Sequence, residues 1–153
     1  MDQLLWKGGK GKSLTEHTLV ILKPEAVIRG LMGDIITRIE KKGLCITAIK
    51  LIQVSQEQSE KIYEMHRSKS FYSPLIKHIT SGPILAMVVE GLNSISVLRS
   101  MIGKTNPLEA CPGTIRGDFA LNIQKNVIHA ADSPENAKRE IKILFKPEEI
   151  LQY

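Results

Sequence analysis

Three short apolar runs, at residues 18–22, 44–54 and 84–90, limit most strongly what this chain can fold into. Each is rich in β-branched residues and bounded by turn formers, the pattern of strands buried in a sheet. Between them the apolar period changes to that of a helix. Ile35, Ile36 and Ile39 recur among charged residues over 33–42, and Gly43 suits a left-handed stop. Ser55 is placed to cap a helix reaching about residue 67. A short helix is expected over 74–80, broken by Ser81-Gly82-Pro83, and another over 94–102. Residues 119–123 read as a fourth strand. Residues 134–144 read as a last helix, with Ser133 as its cap and Pro134 in its first turn. The order β-α-β-α-α-β-α-β-α predicts an α+β fold, a ferredoxin-like α/β sandwich. Its four-stranded antiparallel sheet is expected to carry the helices over one face.

A chain of 153 residues, 42% hydrophobic and 24% charged, is expected to form one globular domain over 17–153. Residues 1–16 read as a flexible Gly/Lys-rich arm. Within it WKGGKGKS contains Gly11-Lys12-Ser13, but Trp6 stands where a phosphate loop needs glycine. The segment also precedes the first strand instead of following one, so the phosphate-loop reading is rejected. No apolar run reaches 18 residues, so no membrane span is expected, and no apolar signal core opens the chain. Cys45 and Cys111 read as reduced thiols of a cytoplasmic protein, with a single disulfide left open. A formal charge of +5 suits nucleotides or other polyanions, or simply a solvated basic surface.

The chemistry gathers in 106–132, NPLEACPGTIRGDFALNIQKNVIHAAD. A long loop over 103–117 with two prolines is uncommon in a compact domain and often functional. His129 ends an apolar run just before a capped helix start, beside unpaired backbone N–H groups that attract phosphate. Arg116, Asn126 and His129 in one loop–strand–loop segment suggest a nucleophile set in a phosphate site. His17, His66 and His78 are read as surface or packed histidines. Taken alone, His129 divides evenly between a functional and a structural reading.

NPLEACPGTIRGDF followed by NVIHAADS resembles the signature of the nucleoside diphosphate kinases. The likeness continues through ILKPEAVIRGLMGDIITRIEKKG, FYSPLIKHITSGPILAMVVEGLN and VLRSMIGKTNP, covering about 17–153 in the family's order. It implies the same fold with extra helices. It also implies transfer of a γ-phosphate from a nucleoside triphosphate, typically ATP, to a nucleoside diphosphate. The expected route is ping-pong, through a phosphohistidine on His129, with broad tolerance of base and sugar.

The resemblance makes Glu140 the residue that orients the imidazole and Tyr63 a supporting aromatic. Arg99, Thr105 and Arg116 become phosphate ligands, and Lys23 and Asn126 hold the ribose hydroxyls and the phosphate end. Phe71 becomes the platform on which the base stacks, with Leu75 and Ile123 on the apolar side of the slot. Mg²⁺ is expected to arrive on the nucleotide phosphates, without a protein ligand. A homo-oligomer is implied, a hexamer built from dimers or alternatively a tetramer.

The chain departs from the family pattern at Ala130-Ala131, where Gly-Ser is usual. Without the serine hydroxyl beside Glu140, reduced but real activity is expected. KPEAV replaces the more frequent KPDGV, Ser70 stands where proline often precedes the aromatic, and the tail common in eukaryotic members is absent. Two other classes compete: a catalytically weak interaction scaffold, favoured only by HAAD, and a nucleic-acid-binding module, favoured by charge and the basic arm. The second lacks interleaved aromatics, so nucleic acid is not expected as the main partner.

Overall fold

Residues 15–153 are described in the computed structural model. The Gly/Lys-rich arm and its rejected phosphate loop lie outside the described residues, except that Thr15 and Glu16 already belong to the first strand. That strand, β1 (Thr15–Leu22), pairs antiparallel with β3 (Ile84–Leu92) on one side and with β4 (Ile128–Ala130) on the other. β2 (Cys45–Ile52) joins the far side of β3, giving a four-stranded sheet of order β2-β3-β1-β4.

Period-two alternation along β1 sends its side chains to two cores. Leu19 and Ile21 pack with Ile62, Ile76, Ile79, Ile141 and Leu144. These belong to α3 (Gln56–Ile62), α4 (Tyr72–Ile79) and α7 (Pro134–Leu144). Val20 and Leu22 pack with Ala26, Ile35, Ile39, Leu98, Ile102 and Ile115. These come from α1 (Pro24–Ile28), α2 (Met32–Lys41), α5 (Ser94–Ile102) and α6 (Ile115–Phe119). The helices therefore cover both faces, where one was expected. An apolar strand with every side chain from Leu19 to Leu22 at 0% exposure requires a second layer on each side.

Local signals set most boundaries. The Ser55 side chain accepts the Gln58 N–H while Gln58 reaches back to the Ser55 N–H, a reciprocal capping box. Gly43, at φ +92°, ends α2: its N–H donates to the Glu40 carbonyl and that of Leu44 to Ile39, satisfying two terminal carbonyls. Ser133 Oγ accepts the Asn136 N–H at 3.2 Å and starts α7.

Two expected elements differ. The helix begun at Ser55 stops at Ile62 and continues only as a 3-10 turn, Glu64–His66. The fourth strand is not 119–123. Thr114 Oγ1 accepts the Gly117 N–H and starts α6, which consumes Phe119, and Leu121 and Ile123 lie exposed in the following loop. The strand that pairs with β1 is the three-residue β4, and His129 is its middle residue. The long loop 103–117 is likewise partly structured, holding a 3-10 turn, Pro107–Glu109, and the start of α6.

Candidate active site

His129 lies opposite Ile21 in the antiparallel register, so it shares the face of Ile21 and looks toward α3, α4 and α7. α7 begins a few residues later and brings Glu140 back over the same face. Glu140 is 1% exposed, and its Oε2 lies 3.1 Å from His129 Nε2. A carboxylate there fixes Nε2 as the protonated nitrogen, leaving Nδ1 as the lone-pair nitrogen of the neutral ring. The second carboxylate oxygen has the Arg139 guanidinium at 3.7 Å. Arg139 itself is anchored on the carbonyls of Lys61 and Ile62 at the end of α3. Tyr63 follows directly, its ring set edge-on to His129 with centroids 5.3 Å apart. Burial, then the Glu140 charge, push the Tyr63 phenol well above its ordinary range, so it stays neutral.

In front of His129 opens a cleft of about 510 Å³. One wall is cationic. Lys23, where β1 passes into α1, is buried and donates to Asn126 Oδ1 at 2.7 Å. Burial, aided by the Arg116 charge and opposed by Glu25, lowers its ammonium to about 8. Arg116, 4% exposed, donates to the carbonyls of Asn126, Gly103 and Ile128. It thereby ties the loop after α5, the α6 segment and β4 together while its guanidinium lines the cleft. Burial and the neighbouring Arg99 bring it down to about 10, still cationic at neutral pH. Arg99 from α5 and Thr105, whose carbonyl accepts Asn126 Nδ2, complete this wall. The opposite lip is apolar: Phe71, 48% exposed at the start of α4, with Leu75 and Ile123.

Buried cations on one side, an exposed aromatic on the other and a carboxylate-held imidazole between them suit a charged, flat-headed ligand. The family model described as nucleoside diphosphate kinase matches residues 16–150. The chain belongs to the nucleoside diphosphate kinase family. A nucleoside diphosphate kinase of Listeria monocytogenes serotype 4b (strain F2365) is 59% identical over 138 residues, covering 90% of this chain and 94% of the relative. The solved Halobacterium salinarum nucleoside diphosphate kinase in complex with CDP superposes with a TM-score of 0.88 at 39% identity, covering 90% and 92%. The Borrelia burgdorferi nucleoside-diphosphate kinase, a transition state mimic with bound vanadate and ADP, gives 0.87 at 41% identity, covering 92% of each chain. The protein is accordingly a phosphotransferase of this family.

The eleven residues singled out from the sequence, from Lys23 to Glu140, all line this one cleft. His66 and His78 line it too, although both were read as ordinary histidines. His66 packs against the aromatic: its ring centroid is 5.3 Å from that of Phe71, and burial lowers its pKa. The signal for it is slight, since the 3-10 turn that aims it inward has no apolar period to read. Ala131, which stands where the family usually has serine, is 1% exposed and packs with Ile95 and Ala137. Both cysteines are free thiols. Among the described residues no helix is long and apolar enough to cross a membrane.

Proposed function

We propose that this nucleoside diphosphate kinase works by a ping-pong route through phosphohistidine at His129 Nδ1. The observation that carries the reading is the His129–Glu140 pair at 3.1 Å, facing a wall of buried cations. In the first half-reaction the Nδ1 lone pair attacks the γ-phosphorus of a nucleoside triphosphate. The N–P bond forms as the bond to the β-phosphate's bridging oxygen breaks, and the diphosphate leaves with that electron pair. The ring keeps its Nε2 proton, and the Glu140 carboxylate offsets the positive charge that develops on it. The second half-reaction is the reverse, with another diphosphate as acceptor.

Lys23, Arg99, Thr105, Arg116 and Asn126 are assigned to the phosphates and ribose, where fixed positive charge meets the charge spread over the transferred group. Their positions along one wall support this. Phe71, Leu75 and Ile123 are assigned to the base. Stacking reads no hydrogen-bond pattern, so purines and pyrimidines both fit. Tyr63 supports the His129 ring edge-on.

Mg²⁺ enters as part of the substrate, on the phosphate oxygens. Among the described residues no group of three His, Cys, Asp or Glu is gathered to hold an ion, and the cleft wall is cationic. We further assign a homo-oligomer, a hexamer built from dimers, with a tetramer as the alternative. Exposed apolar Ile28 and Leu108, at 76% and 82%, support it. The free thiols suit a cytoplasmic setting.

Initial velocities with ATP and dTDP varied together test the route. Parallel double-reciprocal lines are expected, and intersecting lines would require a ternary complex and remove the phosphohistidine.

A further inference from the structure

Val127 is a fully buried β-branched residue with φ +77°, a conformation such residues rarely adopt. The Ile128 N–H donates to the Asn126 carbonyl at 2.9 Å, which makes Val127 the centre of a left-handed γ-turn. Strain of this kind persists only where the surroundings over-determine it. Here the Val127 carbonyl accepts the Lys23 backbone N–H at 2.9 Å, and the Val127 N–H donates to Glu25 Oε1 at 2.9 Å. The other Glu25 oxygen lies 2.5 Å from His78 Nε2, with the His78 side chain 18% exposed and that of Glu25 10%. His78 is carried by α4, the helix that also bears Leu75 and begins just after Phe71. The turn immediately follows Asn126 and lies two residues before His129.

We propose that Glu25 and His78 are positioning residues for phosphoryl transfer, with Glu25 holding the Val127 turn and His78 fixing Glu25 to the base-side helix. The clamp sets the distance between Asn126 and His129 and links the two sides of the nucleotide cleft. It rests on the assignment of His129 as the phosphorylated residue. A carboxylate is well suited to the task because one oxygen serves the strained N–H while the other serves the imidazole. The geometry needed is an acceptor at Oε1, not the charge itself. Glu25→Gln therefore keeps a carbonyl oxygen for Val127, and Glu25→Ala leaves a buried N–H without its acceptor.

Rapid-quench measurement of phosphoenzyme formation on the full chain, with labelled ATP and Mg²⁺, tests this. Glu25→Ala is expected to lower the maximal phosphorylation rate by about tenfold while ATP affinity changes by less than about threefold. Glu25→Gln is expected within about threefold of the unaltered protein. In the Glu25→Ala background, adding His78→Phe should cause no further loss, because His78 acts through Glu25. Glu25→Ala at the unaltered rate, Glu25→Gln failing as Ala does, or additive losses in the double variant would each overturn the clamp. If Glu25→Ala does not fold, His78→Phe decides. A fall of about threefold in rate at unchanged affinity supports the clamp, and an unchanged rate removes it. Absence of label on the unaltered protein would instead overturn the His129 assignment and this inference with it.

Discussion

At Lys23 the ammonium is 5% exposed, and its partner, Asn126 Oδ1, is neutral. Loss of hydration therefore outweighs local attraction and the pKa falls to about 8. Between about 8 and the unfolded value near 10.5, the unfolded chain holds a proton the folded chain lacks. The nucleotide-free fold thus gains stability as pH rises through that window. A bound polyphosphate favours the charged form, so ADP affinity, measured calorimetrically, should fall by about tenfold between about pH 7 and about pH 9. Lys23→Met should bind weakly at both and show no such step. At Ala131 the missing hydroxyl predicts that Ala131→Ser will raise the first half-reaction by about two- to tenfold, the worth of one hydrogen bond. An unchanged rate would mean that Arg139, already near Glu140, supplies the needed polarity. Single residues were legible where a chemical type is demanding, as at His129 and Arg116. The places of His66 and His78 in the cleft were not, because they depend on where a turn and a helix face point.

Elements with a local punctuation mark were readable in advance. Ser55, Ser133 and Gly43 each start or end a helix within their own hydrogen-bond reach, and α7 runs over the 134–144 expected of it. The segment after residue 103 was not readable this way, because tertiary contact decides it. Gly117 shows why. A Cβ there would stand 2.0 Å from the Cys111 carbonyl oxygen and 2.8 Å from Thr114 Oγ1, so the chain folds back on itself only with glycine. That tight return makes α6 at the end of the segment read as a loop, and it takes Phe119 from the strand read over 119–123. Gly117→Ala should cost about 1–3 kcal/mol by overpacking. It should lower the melting temperature by about 2–8 °C in a thermal scan. Because Arg116 is the adjacent residue and ties three carbonyls, nucleotide affinity should weaken as well. A melting temperature equal to that of the unaltered protein would show that the Cys111 turn relaxes freely.

For the whole molecule, the alternation of strand and helix patterns gave the right architecture with one layer too few. The second layer follows from arithmetic of burial, since β1 and β3 are apolar on both faces and a one-sided sandwich would leave half of that surface wet. The same topology places the face of the candidate site. A short β4 at the edge beside β1 puts His129 under α7, while the end of β1 delivers Lys23 to the same cleft. Apolar Ile28 and Leu108 remain on the outside, which bears on assembly. Light scattering at micromolar concentration should report a hexamer, or a tetramer, and a monomer would overturn the oligomer.

Incubation with γ-labelled ATP and Mg²⁺, followed by a chase with dTDP or GDP, puts phosphoryl transfer through His129 to the most direct trial. The expected product is an acid-labile, base-stable phosphoprotein that passes its label to either diphosphate and is absent from His129→Ala. A folded, nucleotide-binding protein that takes no label, or one still labelled after His129→Ala, would contradict it.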